Sequence, residues 1–241
     1  SMVSFCGATL ALMSRMYRPF DEAYADLCLQ HALYAYQYAA AHKTNAGGGT
    51  IEGSFYGEDN MWQDNYVCLL AELYYATGQE SYKTEALTYA SVIKDGGWVL
   101  DYENSEDLAM YHLAKFGNAT ALAEFNKSTT RYKNAFSGGV MQVGSDWGRL
   151  RYTASACFIL ALQHTLNNDG LIHNALKGSV DYILGVNSQS QSFVVGFGSK
   201  APQKPHHRNV FMNDNQNYTI PTKNKQHGYL VGGVWTGTFP D

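Results

Sequence analysis

The stretch from Ser192 to Arg208 reads S-F-V-V-G-F-G-S-K-A-P-Q-K-P-H-H-R. Its apolar start, Phe193 to Val195, predicts a short strand bounded by glycine. Pro202 and Pro205 then fix φ and disfavour helix in the residues before them. The segment therefore predicts a short strand followed by a stiff loop, which ends in two imidazoles beside a guanidinium.

Those three side chains, His206, His207 and Arg208, suit the binding of hydroxyl groups or of developing negative charge. The residues alone leave a second interpretation open, a solvated surface loop with incidental histidines. No carboxylate or cysteine lies nearby at metal-ligand spacing, so we predict no metal site. Gly196-x-Gly198-x-x-Ala201 imitates a dinucleotide fingerprint, but prolines follow where a helix would have to begin. We therefore do not expect a dinucleotide.

In the chain before this segment, apolar residues recur at helical spacing. No run of strands alternates with helices, so a doubly wound sheet is not expected. The 241 residues are enough for one domain, and the pattern predicts helical hairpins joined by loops. The predicted helices lie at about residues 5–16, 21–41, 60–76, 82–93, 105–116, 119–132, 148–166 and 171–184.

Individual residues predict where three of these helices begin or end. Asp21 and Ser105 are placed to cap the second and fifth, and Gly78 to end the third in a left-handed conformation. The third helix is apolar on two sides, which predicts burial between neighbours. The second carries an apolar stripe at helical spacing, composed of Tyr24, Leu27, Cys28, His31, Ala35 and Tyr38.

Composition excludes some classes of partner. The net charge is −4 and charged residues make up 16% of the chain, so neither nucleic acid nor a membrane is an expected partner. Aromatic residues make up 14%, which suits stacking on sugars, although packing could also use them. The four cysteines, Cys6, Cys28, Cys68 and Cys157, lie in helix-like patterns, and we predict buried free thiols.

The run from Trp147 to Tyr152 reads W-G-R-L-R-Y at the predicted start of the seventh helix. If exposed, the two aromatic rings could stack on sugar rings, whose C–H faces are apolar. If buried, they would pack between helices. The residues alone leave both interpretations open.

Taken together, these motifs resemble glycoside hydrolase family 9, the inverting cellulases. The resemblance rests on the Ser192–Arg208 spacing, the lead-in Y-I-L-G-V-N at 182–187, the L-V-G-G at 230–233 and the W-G-x-L-R-Y element. It implies an all-α fold, an (α/α) six-hairpin barrel or toroid. Here the barrel would be partial, with about eight helices and a long C-terminal loop region.

The resemblance also implies roles for individual residues. His206 and Arg208 would be catalytic, His207 would bind substrate beside them, and Trp147 and Tyr152 would line the cellulose cleft. The segment from Trp62 is similar to a cleft-edge element with the pattern Tyr-x-Asp-Glu, from which Trp62 and Asn65 depart. By that similarity Trp62 and Asp64 would bind substrate, and Asp241 would do so through the aromatic-x-Asp pattern of 239–241. Asp101 receives no role, because the tryptophan expected beside it is displaced to Trp98.

Inverting hydrolysis needs two carboxyl groups, one to protonate the leaving oxygen and one to activate water. In the family the base belongs to an Asp-Ala-Gly-Asp motif, which this sequence lacks, and the acid is a Glu beyond the aromatic-x-Asp. Residues 1–241 therefore resemble a single, truncated catalytic domain. Asp146 and Asp241 stay open as substitutes. The open functions are an endo-β-1,4-glucanase, a non-catalytic β-glucan-binding remnant, and a helical toroid of another enzyme class.

The remaining expectations follow from the resemblance. The partner would be a β-glucan polysaccharide or oligosaccharide, and the protein would be secreted. No cofactor is implied, although a structural calcium ion stays open. A partial barrel would leave apolar helix faces uncovered, and burial of such faces contributes about 25 cal/mol per Å². We therefore expect self-association through exposed helix faces, or completion by another piece.

Overall fold

The computed structural model describes residues 2–45, 61–101, 104–144, 148–167 and 170–202. Within these ranges the chain forms eight helices and one two-stranded hairpin, so the predicted helical class is correct. Two compact units divide the chain, Ser1–Ser128 and Thr129–Asp241. The elements are α1 (Met2–Tyr17), α2 (Glu22–Ala41), α3 (Trp62–Thr77), α4 (Glu80–Leu87), α5 (Glu106–Lys115), α6 (Ala119–Asn134), β1 (Phe136–Ser137), β2 (Val140–Met141), α7 (Arg149–Leu166) and α8 (Gly170–Leu184).

Two of the predicted helix ends are confirmed. The Asp21 carboxylate accepts the backbone N–H of Tyr24 at 2.9 Å and caps α2. Gly78 adopts φ +70° and ends α3, with its N–H bonded to the carbonyl of Tyr74 at 2.8 Å. Both ends follow from local chemistry, since an acceptor side chain and a residue without Cβ are what those positions require.

The α1–α2 pair buries small residues and exposes large ones. Its buried side chains include Ala8, Ala11, Ala25 and Ala32, and a Cβ at Gly7 would lie 2.7 Å from that of Ala35. Of the stripe predicted along α2, Cys28 is buried, whereas Tyr24, Leu27, His31 and Tyr38 are exposed. Close approach of the two backbones decides which side is buried, and only small residues permit it. The large apolar side chains left exposed are Met2, Val3, Leu12, Met16, Tyr17, Phe20, Tyr24, Leu27, Tyr34 and Tyr38.

Helix α3 is buried on all sides, as predicted from its two apolar faces. Ten of its sixteen residues are buried, and they include the charged side chains of Asp64 and Glu72. Tyr66, Leu69, Leu70 and Leu73 supply much of the apolar core of this unit.

A polar cluster lies inside the same unit, where α1, α3 and α5 meet. Arg15 forms an ion pair with Glu72, and Nε2 of His112 lies 3.8 Å from the other carboxylate oxygen. The guanidinium of Arg15 also lies over the ring of Tyr75, at 5.3 Å from its centre. Burial raises the pKa of Glu72, with the Arg15 charge opposing that rise, and burial lowers the pKa of His112 to about 3.

The fourth helix is shorter than predicted, because α4 ends at Leu87. The hydroxyl of Thr88 bonds to the carbonyl of Glu85 at 2.7 Å, and the backbone continues in turns with i to i−3 hydrogen bonds. A side chain that takes a helical carbonyl in this way competes with the helix. Ala90 and Ile93 are nevertheless buried, so the predicted stripe fills the core without helical geometry.

In the second unit, β1 and β2 pair antiparallel, with Gly138 and Gly139 between them at φ +62° and +87°. Two positive φ values in succession are typical of a tight hairpin turn and favour glycine. The hairpin is attached to the helices by polar bonds. The backbone N–H of Met141 donates to the hydroxyl of Ser179 in α8, and the hydroxyl of Thr153 in α7 donates to the carbonyl of Met141.

The predicted strand at Phe193 to Val195 is confirmed only as a single bridge residue, Val194, and the rest of this run is irregular. Its first N–H donates to the carbonyl of Ile183, and the N–H of Val194 bonds to the hydroxyl of Ser192. These local bonds replace a strand ladder. Phe193 and Val195 are still buried, with Phe193 packed against Leu150 and Ile183.

All four cysteines are free, as predicted, but Cys6 is exposed rather than buried. It lies in α1, away from the small residues that this helix buries. Burial raises the pKa of Cys68, and it raises the pKa of Cys157 to about 12. Among the described residues, no helix is long and apolar enough to span a membrane, and no group of acidic, histidine or cysteine side chains has the arrangement of a metal site.

Candidate functional site

The predicted site residues fall into two groups. Trp62, Asp64 and Tyr152 lie within the described ranges. The others lie outside them, and their roles stay predictions: Trp147, His206, His207, Arg208 and Asp241, together with Asp146.

Trp62 opens α3 and packs in an aromatic cluster. Its ring centre lies 5.8 Å from that of Tyr66 and 5.6 Å from that of Tyr89. Its backbone N–H donates to the side-chain oxygen of Asn45 at 3.0 Å. The indole is half-buried, so part of its surface faces solvent while the rest is supported by two rings. A supported, partly open indole is suited to stacking on a sugar ring.

The carboxylate of Glu85 is bonded to tyrosines of this region, and the sequence analysis gave Glu85 no role. It accepts hydrogen bonds from Lys43 and Tyr66, both at 2.9 Å, and from Tyr36 at 3.2 Å. Burial alone would raise the pKa of Glu85, but the three donors outweigh it and the net shift is downward. The carboxylate is therefore ionised at neutral pH and orients the tyrosines behind Trp62. Because its partners come from different parts of the chain, no local motif could have identified it.

Asp64 lies two residues after Trp62 and is only 1% exposed. Its Oδ2 accepts the backbone N–H of Ser105 at 2.9 Å, and the Ser105 hydroxyl lies 3.0 Å from the same oxygen. Ser105 thus holds the predicted N-cap position of α5, but its hydroxyl makes no cap bond because Asp64 and Asn65 engage it. This burial favours a positioning role for Asp64, which ties the loop before α5 to the start of α3.

Glu106, the first residue of α5, lies close to that anchor. Burial, reinforced by the charge of Asp64, raises the pKa of Glu106 to about 7. The charges of Asp101 and Asp107 act in the same direction. This end of the unit is therefore acidic, and one of its carboxyl groups titrates near neutral pH.

Tyr152 lies in the first turn of α7, the long helix of the second unit, and is 6% exposed. Its ring packs against the backbone at Gly144, where an added Cβ would lie 2.2 Å from the ring. The guanidinium of Arg151 covers the ring at 4.4 Å from its centre. The ring of Tyr152 is therefore engaged by the protein, and its predicted contact with sugar stays a prediction.

The described part of the signature segment, Ser192 to Pro202, is anchored by a residue that the prediction gave no role. The side-chain amide of Asn187 donates to the carbonyls of Tyr182 and Gln191, both at 2.8 Å. Its oxygen accepts the N–H of Gln189 at 3.1 Å. The backbone N–H of Ser192 then donates to the carbonyl of Lys200 at 2.9 Å and closes the segment on itself. Asparagine before a glycine-rich loop is a weak signal of such a turn.

Comparison with known proteins identifies the family of this chain. The family model for glycosyl hydrolase family 9 matches residues 1–240. The chain belongs to this family. Endoglucanase 4 of Bacillus sp. (strain KSM-522) is 28% identical to it, over 94% of this chain and 39% of that protein. Endoglucanase A of Fibrobacter succinogenes is 31% identical, over 86% of this chain and 48% of that protein. The family-9 chain thus spans less than half the length of these curated relatives.

Solved structures agree with that assignment. The cellulase Cel9M of C. cellulolyticum in complex with cellobiose matches with a TM-score of 0.85 at 28% identity, over 99% of this chain and 57% of that chain. An endoglucanase from the termite Nasutitermes takasagoensis matches with a TM-score of 0.76 at 25% identity, over 98% and 57%. The predicted family and the predicted partial all-α fold are confirmed.

Proposed function

We propose that this chain is part of an endo-β-1,4-glucanase and takes part in hydrolysing β-1,4-glucosidic bonds of cellulose or related β-glucans with inversion. The observation that supports this is the family match across residues 1–240, which includes the Ser192–Arg208 signature. The cellobiose complex of Cel9M supports an oligosaccharide as the ligand class. Since the chain spans only part of its relatives, whole-enzyme activity belongs to the proposal.

The proposed roles follow from the chemistry of each side chain. His206 and Arg208 hydrogen-bond the sugar at the scissile bond and stabilise the charge that develops as it breaks, and His207 assists them. Trp62 and Trp147 each stack on a glucose unit, and Tyr152, only 6% exposed, contacts sugar through the small part of its ring that the protein leaves uncovered. In a change from the direct contact first expected, Asp64 acts through the α3–α5 anchor. Asp241 borders the position where the leaving group is protonated.

A second function is favoured by one sequence observation. None of the 241 residues forms the Asp-Ala-Gly-Asp motif that supplies the base in this family. A chain that binds glucan but lacks the catalytic base would not cleave it. The alternative is therefore a non-catalytic β-glucan-binding protein that uses the same aromatic and cationic residues.

One experiment separates the two. Release of reducing sugar from soluble cellulose and binding of cellotetraose are measured for the wild type, His206→Ala and Arg208→Ala. His164→Ala, on the exposed surface of α7, is the matched control. Hydrolysis that both site variants abolish and the control retains supports the enzyme. Binding without hydrolysis supports the alternative, and wild-type protein that neither binds nor hydrolyses glucan refutes both.

The proposal includes secretion, a β-glucan partner and catalysis without a cofactor. It leaves a structural calcium ion as a separate question for metal analysis. It also includes self-association through the α1–α2 face, which exposes large apolar side chains such as Met16 at 61%. Large exposed apolar patches commonly mark interaction sites.

A further inference from the structure

The exposed side of α2 carries no charge over most of its length. From Leu27 to Ala41 the helix contains no Asp, Glu, Lys or Arg, and the side chains exposed there are rings, amides or aliphatic groups. The solvent-facing side of a helix ordinarily carries charged residues, as α6 does with Lys127. None of the sugar-binding residues proposed above lies on α2, so this neutral side has no role in the proposed cleft.

Three exposed rings on this side recur every seven residues, at Tyr24, His31 and Tyr38. Tyr24 is 41% exposed, Tyr38 is 54% exposed, and His31 is exposed between them. Seven residues advance a helix by about 10.5 Å and bring the side chain back to the same side with a drift of about 20°. These residues, the α2 row, therefore present rings at a constant interval along one line of the helix.

Neighbouring rings support both ends of the α2 row. The ring of Tyr24 packs edge-on against that of Tyr17, with 5.1 Å between their centres. The ring of Tyr38 stacks on that of His42, with 4.1 Å between their centres. A ring that is held before a ligand arrives loses less conformational freedom when the ligand binds.

A buried alanine follows each residue of the α2 row. Ala25, Ala32 and Ala39 are at most 5% exposed and belong to the small residues through which α2 packs. Close packing of these residues fixes the backbone that carries the row. The interval between the rings is therefore a rigid property of the helix.

The interval and the neutrality of the α2 row select the kind of ligand. A β-1,4-glucan chain is an extended ribbon that repeats every two glucose units, and that repeat is close in length to the interval between the rings. The apolar C–H face of every second sugar can therefore lie on a ring. Gln30 and Gln37, also seven residues apart, offer amides to sugar hydroxyls beside the row. A polyanion would find no cation between Leu27 and Ala41.

We propose that the α2 row is a surface site for an extended β-1,4-glucan chain, which lies along α2 with a ring under every second glucose unit. This inference rests on the proposed glucan-binding function and adds a site for the polymer on a different helix from Trp62. A second copy of the chain would cover the same rings, so it is the competing occupant.

The test is binding to microcrystalline cellulose, measured by depletion of protein from solution. Aromatic stacking on bases sets the scale, so Tyr38→Ala should weaken binding by roughly 5- to 100-fold. Tyr38→Phe should retain most of the affinity, because the stacking face remains. Phe158→Ala removes a ring that is 49% exposed on α7 and is the matched control, with binding unchanged.

A second variant tests the interval itself. The exchange Gln37→Tyr with Tyr38→Gln keeps the composition and moves the ring by about 100° around the helix. It should bind cellulose as weakly as Tyr38→Ala, at a free energy of unfolding in urea equal to that of the wild type. Binding at the wild-type level in either variant overturns the inference.

Cellobiose binding, measured by calorimetry, separates this site from the cleft. Cellobiose spans only one interval of the row, so Tyr38→Ala should leave its affinity unchanged, and an equal loss for cellobiose and cellulose overturns a separate site. If Tyr38→Ala lowers the mass measured by light scattering and leaves cellulose binding unchanged, a second copy occupies the face and the inference is wrong. Wild-type protein that binds cellobiose but not cellulose overturns this inference alone. Wild-type protein that binds neither refutes the proposed function as well.

Discussion

The α1–α2 pair and helix α3 are packed in opposite ways. The pair approaches closely through glycine, alanine and serine and leaves its large apolar side chains outside. Helix α3 is surrounded, and it buries charged residues along with its leucines. The difference teaches that apolar spacing predicts a helix, whereas residue size and the number of neighbouring elements decide which face is buried.

The largest expected effect concerns the buried charge of α3. Glu72→Ala leaves Arg15 without its carboxylate, and the Arg15 side chain is 36% exposed. Loss of one partner of a fully buried ion pair costs about 3 kcal/mol or more, so for this partly buried pair we expect a loss of roughly 2–3 kcal/mol. Urea unfolding measures the loss. The control is Glu80→Ala on α4, where an exposed pair with Lys83 should contribute less than about 0.5 kcal/mol. If the two variants lose equal free energies of unfolding, burial in α3 does not strengthen the contribution of the Glu72 ion pair.

The second effect concerns close packing of α1. Gly7→Ala should destabilise the protein by about 2 kcal/mol, because the new Cβ would meet Ala35 at 2.7 Å and Leu69 at 2.9 Å. This loss opposes the gain in helix propensity that alanine normally brings. Gly170→Ala in α8 is the matched control, since no atom lies within 4 Å of its added Cβ. It should be stabilising, and a stabilising Gly7→Ala would contradict the close approach of α1 and α2.

A smaller effect depends on pH and on the acidic end where α3 meets α5. The pKa of Glu106 is about 7 when folded and near 4.5 when unfolded, so the folded protein binds the extra proton. The stability that this gives is present below pH 4.5 and is lost as pH rises through 7. Relative to Glu106→Gln, the wild type should lose roughly 1 kcal/mol between pH 4.5 and 8.

The measurement is urea unfolding of both proteins across that range. His112, with its pKa lowered to about 3, contributes stability that is lost as pH falls below 6.5. It does so in both proteins and cancels in the difference. A difference that does not vary with pH would place Glu106 in a better solvated environment than the structure gives it.

The smallest effect on folding is expected on the exposed side of α2. Leu27→Glu should change the free energy of unfolding by less than about 0.5 kcal/mol, since Leu27 is 48% exposed. If this face mediates self-association, the same change should shift the mass measured by light scattering toward the monomer. Leu122→Glu, at 37% exposure on α6, should not. A wild type that is monomeric at all concentrations would end the self-association proposal.

Prediction from the sequence succeeded where the signal was local. Asp21 and Gly78 needed only their own backbone neighbours, and both hold the predicted positions. Ser105 took its predicted position, but its hydroxyl was diverted to Asp64, a residue 41 positions away. The fourth helix was overestimated because the competing bond of Thr88 is not visible in an apolar pattern.

The residues of the candidate site also divide into those that a local motif identifies and those that only the structure identifies. The residues recognised by motif, such as Trp62 and Asp64, could be named in advance but not assigned as exposed or buried. Glu85 was missed because its partners lie 19 to 49 positions away along the chain. Asn187 was missed although its partners lie within five positions, because asparagine before a glycine-rich loop is only a weak signal of a turn. Asp101 was given no role because the tryptophan expected beside it is displaced, and only the structure shows that its carboxylate accepts the indole N–H of Trp98.

The sequence by itself determined the family, the helical class and most helix ends, because these depend on short-range chemistry and on spacing along one chain. Tertiary structure alone decided which face of α2 is buried, that Asp64 holds α5, and that burial shifts the pKa of Glu72 and Glu106 upward while hydrogen-bond donors shift that of Glu85 downward. The physical reason is that desolvation and close contact depend on which distant elements arrive at the same place.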